Sequence, residues 1–151
     1  MLLLAALGSL AASLAAQGDR PPGPEAPSAS IAVFATALYN DQANLREATD
    51  SAQAGIATEV LRARLRERLT DQVVSFAAID SLERTSAARS LAGGVPCNVR
   101  VACALSVGRA LGARWIVLTK VSKTSNLIWL LSAQLIRVAT GAIILDDSTE
   151  L

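Results

Sequence analysis

Histidine is absent from this chain, and aromatic rings make up only 3% of its 151 residues. Without imidazole there is no Ser-His-Asp or Cys-His catalysis and no histidine metal site. Two cysteines cannot complete a structural zinc site on their own. The sequence also has no phosphate-cradling glycine loop and no nucleophile with a base at hand, so no cofactor is expected. Charge of either sign is in short supply: 14 basic and 13 acidic residues leave a formal +1. Neither nucleic acid nor an anionic membrane surface is therefore expected as a partner.

What is present is aliphatic. Apolar residues reach 52%, much of it Ala and Leu, so the core must rest on branched and small side chains. The length suits one domain, large enough to bury a core without metals or several disulfides.

The first stretch, residues 1–16, is an apolar run, shorter than the roughly 20 residues that span a bilayer. Ser13-Leu14-Ala15 fits a small-x-small cleavage site, which places the cut between Ala15 and Ala16. Residues 1–15 read as a signal peptide, although no Lys or Arg precedes the run. A buried first helix and an uncleaved membrane tether are the alternatives. No cysteine follows to carry a lipid. Residues 16–29 hold Pro21, Pro22, Pro24 and Pro27 and read as a disordered or polyproline-like linker. A single domain over 30–151 follows.

Within it, residues 30–38 are apolar on both faces, as in a central covered strand. Residues 39–54 are polar and read as a loop. Ile56, Val60, Leu61, Leu65 and Leu69 predict an apolar helix stripe over 56–69, with Arg62, Arg64, Arg66 and Arg68 on a solvated face. Residues 73–79 read as a second strand. Asp80 and Glu83 then form a capping box for a helix over 82–91 that ends at Gly93-Gly94.

Cys97 precedes a helix starting near Val101, and Cys103 falls in its first turn. A chain folding back there would bring the two within disulfide reach, and export favours oxidation; free buried thiols are the other reading. Val101, Ala104, Leu105, Gly108 and Leu111 face the sheet, with Gly108 permitting close approach and Gly112 a left-handed helix stop. Residues 115–121 form a third strand at the sheet centre. Lys123, Thr124 and Ser125 form a polar turn, residues 126–138 a long fourth strand, and Thr140 and Gly141 a tight turn into a fifth strand at 142–145. The expected fold is α/β (α+β): one mixed sheet of about five strands with two to three helices, in the order β-α-β-α-α-β-β-β.

The run from Cys97 to Gly141, with Leu111-Gly112-Ala113, then Lys123 to Ile128, then Val138-Ala139-Thr140-Gly141, resembles an exported bacterial family known as domain of unknown function 2380. Thr124 stands where that family usually has valine, and Arg137 where it has aspartate. The family also tends to carry closer cysteines and a further segment with a final helix. In strand and helix order it is similar to the N-terminal domain of the periplasmic Tol-Pal propeller protein and to curli-secretion-type domains. That similarity implies protein contacts in envelope complexes.

The leading expectation is thus a periplasmic, non-catalytic module that binds an unknown envelope protein. Lys123, Ser125 and Asn126 form a turn that either meets the partner or satisfies its own backbone. Contact with the membrane would come only through the signal segment, and the fifth strand is open to edge pairing with a second copy. A competing reading is a small-ligand binder or enzyme using Lys123 or Lys120 with Asp80 or Asp146. A membrane-tethered envelope protein is a third.

Overall fold

The structure is a computed structural model that describes residues 30–40, 48–125 and 128–151. The signal and linker expectations for residues 1–29, and Asn126, lie outside the described residues. Five strands build one mixed sheet: β1 (Ile31–Val33), β2 (Ala37–Asn40), β3 (Trp115–Lys123), β4 (Trp129–Arg137) and β5 (Ile143–Glu150). Among the described residues, four α-helices accompany them: α1 (Ala48–Leu69), α2 (Phe76–Glu83), α3 (Ser86–Ala92) and α4 (Val101–Ala110).

The strand order is β1-β3-β4-β5, with β2 also pairing β3. β1 and β2 run parallel to β3, while β4 and β5 continue as antiparallel neighbours. As the sequence pattern predicts, β3 is central. The segment over 30–38, however, is an edge and is broken. Val33 pairs with Val117 and Ala37 with Lys120, so the edge takes four steps where β3 takes three. The extra residue is absorbed around Phe34 and Thr36, both buried, which is why the segment reads as one apolar strand.

The strand predicted over 73–79 is replaced by a helix. Val73 makes a single parallel bridge with Ile31, and the Val74 N–H donates to the Ile31 carbonyl at 2.9 Å. From Phe76 the chain coils, because Phe76, Ile79 and Leu82 recur at three-residue spacing and share a buried side. Asp80 therefore sits inside α2 and caps nothing. The predicted helix over 82–91 is split, and its second part is capped by Thr85, whose hydroxyl accepts from the Ala88 N–H at 3.3 Å.

The even-numbered face of β3 (Ile116, Leu118) packs with Ala32, Phe34, Ile136 and Val138 against α2, α3 and α4. α4 comes closest, since a Cβ on Gly108 would lie 2.8 Å from Ile116 Cγ2 and 3.2 Å from Val138 Cγ2. Gly112 ends α4 at φ 65° and Gly141 turns β4 into β5 at φ 71°. Thr140 supports that second turn by accepting from the Ala142 N–H. Cys97 and Cys103 are joined as a disulfide with Cα atoms 5.2 Å apart, both within the apolar cluster. β5 extends to Glu150, past the predicted end at 145, so the polar tail belongs to the sheet.

On the opposite face lies α1. The polar stretch before it closes β2 at Asn40, and the helix already runs from Ala48. Its predicted apolar stripe is only half right: Ile56 and Val60 are 57% and 56% exposed. The buried positions are Asp50, Ala54, Thr58 and Arg62, one residue per helical turn. This helix therefore turns a largely polar stripe to the sheet.

Candidate functional site

The buried stripe of α1 meets the sheet through polar contacts made by three of its residues, Asp50, Thr58 and Arg62. At its start, Asp50 Oδ1 receives Lys123 Nζ at 3.0 Å, and Asp50 Oδ2 accepts from Asn40 Nδ2 at 3.3 Å. The Lys123 ammonium also lies 5.3 Å from the centre of the Trp129 ring, on the residue paired with it across the ladder. Mid-helix, the Thr58 hydroxyl donates to the Ala54 carbonyl and accepts from the Thr36 N–H, both at 2.8 Å. Thr36 and Thr119 share a further hydroxyl bond at 2.8 Å.

Farther along, Arg62 Nη2 reaches the Val33 carbonyl and Asp80 Oδ1, each at 3.3 Å. Its guanidinium stacks 4.5 Å from the Phe76 ring centre, and Arg66 lies at 4.7 Å from the same centre. Arg62 is thus a buried cation in a role the sequence pattern does not disclose; its signal is the four-residue recurrence from Asp50 and the scarcity of aromatics such as Phe76. Arg64 keeps the expected solvated pairing, with Glu67 at 3.2 Å. Near Asp80, half-buried Glu83 has its pKa raised from 4.5, first by burial and then by the Asp80 charge, against the lowering pull of Arg62 and Arg84.

This arrangement separates the sequence-predicted residues. Lys123 closes β3 in the interior, where the sequence pattern puts it in a solvent turn. Beyond it, the Thr124 N–H donates to the Ile128 carbonyl at 3.1 Å, and Ser125 Oγ accepts from the Ile128 N–H at 3.0 Å. Both therefore support the turn backbone. Asp80 pairs with Arg62, and among the described residues no ion pair joins it to either lysine.

Lys120 and Asp146 do share a surface. Both line an open groove of about 340 Å³ whose floor also holds Leu118, Ser132 and Gln134, with Asn98 and Val101 at its wall. There Gln134 Nε2 donates to Asp146 Oδ2 at 3.0 Å. Asn98 Nδ2 donates to the Ala35 carbonyl at 2.6 Å, while its buried Oδ1 has no protein partner. Beside the groove runs β5, exposed along all eight residues, with Ile143, Ile144 and Leu145 between 47% and 54% exposed. Among the described residues, no group of three or more Cys, Asp or Glu could hold a metal, and no helix is long and apolar enough to cross a membrane.

These features define an α+β protein built on one mixed sheet with helices on both faces. The chain belongs to the family described as protein of unknown function (DUF2380), whose profile matches residues 29–151. Among solved structures it is similar to the LpoB C-terminal domain from Salmonella enterica, with a TM-score of 0.57, 19% identity and 82% of each chain covered. The LpoB C-terminal domain from Escherichia coli aligns with a TM-score of 0.55 and 25% identity, over 81% of this chain and 82% of that one. The NMR structure of E. coli LpoB aligns with a TM-score of 0.58 and 16% identity, over 99% of this chain and 82% of that one. These likenesses, rather than one to the Tol-Pal propeller protein's N-terminal domain, describe the fold. A search of curated proteins finds no match.

Proposed function

We propose that the protein is an exported, non-catalytic accessory module that binds another envelope protein. One observation carries this reading. The groups with most chemical potential (Lys123, Asp50, Arg62, Asp80 and the three threonines) engage one another around α1, with the buried Arg62 Nε left unbonded among the described residues. Solvent meets a sheet flank bearing Ile143, Ile144 and Leu145 instead. Exposed aliphatic residues beside open backbone suit protein contact better than chemistry on a small substrate. The disulfide and the expected signal segment support an oxidising compartment outside the cytoplasm. The test is photo-crosslinking in intact envelopes, with photoreactive residues placed singly at Val99, Ile56 and Ile144. A recurrent adduct with one defined protein is expected; folded, exported protein giving no adduct from any position would refute the reading.

A second reading has one specific observation in its favour. The groove gathers Lys120, Ser132, Gln134 and Asp146 beside the unpartnered Asn98 oxygen, a lining suited to a small zwitterionic or polar ligand. Thermal-shift screening with free amino acids, comparing wild type with Lys120→Met, decides it. A shift lost in the variant supports the ligand site, and no shift with any amino acid removes it.

A further inference from the structure

We infer that the outer flank of β5 is a docking edge for an extended partner segment, laid antiparallel to β5, basic in its first half and apolar in its second. The inference rests on the partner-binding reading and names the surface and the chemistry it selects. Among the described residues no strand lies beyond β5. The Leu151 N–H donates inward to the Trp129 carbonyl at 2.9 Å. The alternation of an antiparallel ladder then turns the backbone groups of Asp146, Ser148 and Glu150 outward. Two of these groups are engaged only by near neighbours. The Ser148 N–H donates to Asp147 Oδ1 at 2.8 Å, and the Glu150 carbonyl accepts from the Thr149 hydroxyl at 3.4 Å. An incoming strand can displace both and form ladder bonds in their place.

Charge decides what that strand is. Asp146, Asp147 and Glu150 occupy one half of β5, Ile143, Ile144 and Leu145 the other. Among the described residues none of the three carboxylates has a cation within 4.0 Å; the ion pairs are Arg62–Asp80, Arg64–Glu67 and Lys123–Asp50. A second copy fits badly, because two-fold antiparallel pairing about the middle of the strand sets Asp146 or Asp147 opposite its own copy, and like charges directly opposite destabilise a pair. Lysines and arginines opposite the acidic half, with β-branched residues opposite the apolar half, complement both.

The test uses the oxidised full chain and the peptide Lys-Thr-Thr-Lys-Arg-Val-Ile-Val, with Glu-Thr-Thr-Glu-Glu-Val-Ile-Val as its charge-inverted control. Calorimetry should show binding of the basic peptide only, weakening as salt rises. Amide exchange should slow at the outward N–H groups of Asp146 and Glu150. Ser148→Pro removes an outward donor and leaves the β4 ladder whole, so binding should vanish while the thermal midpoint holds. Asp147→Lys, whose carboxylate bonds only its neighbour's N–H, should weaken binding by more than about ten-fold, and it carries the test if the proline variant fails to fold. Equal binding of both peptides, or binding indifferent to both substitutions, overturns the edge. Should that happen while crosslinks from Val99 or Ile56 still capture one protein, the module reading survives and the β5 edge alone falls.

Discussion

Lys123 Nζ and Asp50 Oδ1 lie 3.0 Å apart with side chains only 4% and 2% exposed, joining residues 73 positions apart in the chain. A buried pair of this kind contributes little over well-packed apolar residues, yet breaking it strands a charge. Lys123→Met should therefore lower unfolding free energy by about 3–5 kcal/mol. The double variant Lys123→Met, Asp50→Leu should regain most of that loss. Urea unfolding of wild type, both single variants and the double variant measures the coupling, and additive losses would show that the two charges do not act as a pair.

Thr58 serves as both donor and acceptor between α1 and the sheet. Thr58→Val keeps the shape but leaves the Thr36 N–H, now 2.8 Å from the hydroxyl, without its acceptor. A loss of about 1–3 kcal/mol is expected, with Thr58→Ser closer to wild type. Denaturant midpoints should rank wild type, serine, valine in falling order.

At Gly108, alanine would bring its methyl to 2.8 Å from Ile116 Cγ2. Helix propensity favours alanine over glycine by about 1 kcal/mol, while overpacking typically costs about 1–3 kcal/mol. Since the obstructing atoms belong to the buried sheet, the clash should win and Gly108→Ala should melt lower. In an Ile116→Ala background, which deletes Cγ2, the added cost of Gly108→Ala should shrink.

Glu83 gives a pH signature. Its folded pKa is raised above the ordinary 4.5, chiefly by burial, so the fold holds the proton more tightly than the unfolded chain does. The destabilisation from its charge is fully present above the folded pKa and gone below 4.5. Glu83→Gln should melt higher than wild type at pH 7, with the gap closing as pH falls through that window. A gap that stays constant with pH would reject this origin.

Local signals were readable where the determining contact is near in sequence. Gly112 and Gly141 mark turns because their own backbone needs positive φ. The Cys97–Cys103 spacing confines the bridge to one helix start. Gly108 was readable as a close approach because α4 runs straight into β3. The α1 stripe was not readable: Ile56 and Val60 look like core, and only Asn40, Thr36, Val33 and Lys123, from other elements, make Asp50, Thr58 and Arg62 the better side to bury. The helix at Phe76 is hidden in the sequence because Val73 and Val74 have strand character, and the recurrence of Phe76, Ile79 and Leu82 that favours a helix runs past the end of the predicted strand. For the candidate site, the sequence offers Lys123 or Lys120 with Asp80 or Asp146 as open combinations, and nothing in their spacing singles out Lys120 with Asp146, which the groove brings to one surface. The open flank of the fifth strand was legible from strand order alone, while its division into acidic and apolar halves gains meaning only once β5 is placed at the sheet edge.

The matched groups beneath α1 also fix where that helix can lie. An aliphatic helix can slip along a sheet by one turn and lose little, because one methyl replaces another. Slipping α1 by about 5.4 Å would carry Asp50 away from its ammonium, bring the Thr58 hydroxyl out of reach of Thr36, and move Arg62 off Phe76. Three mismatches would arise together, so the helix has a single seat, and a disturbance at one end is resisted along its whole length.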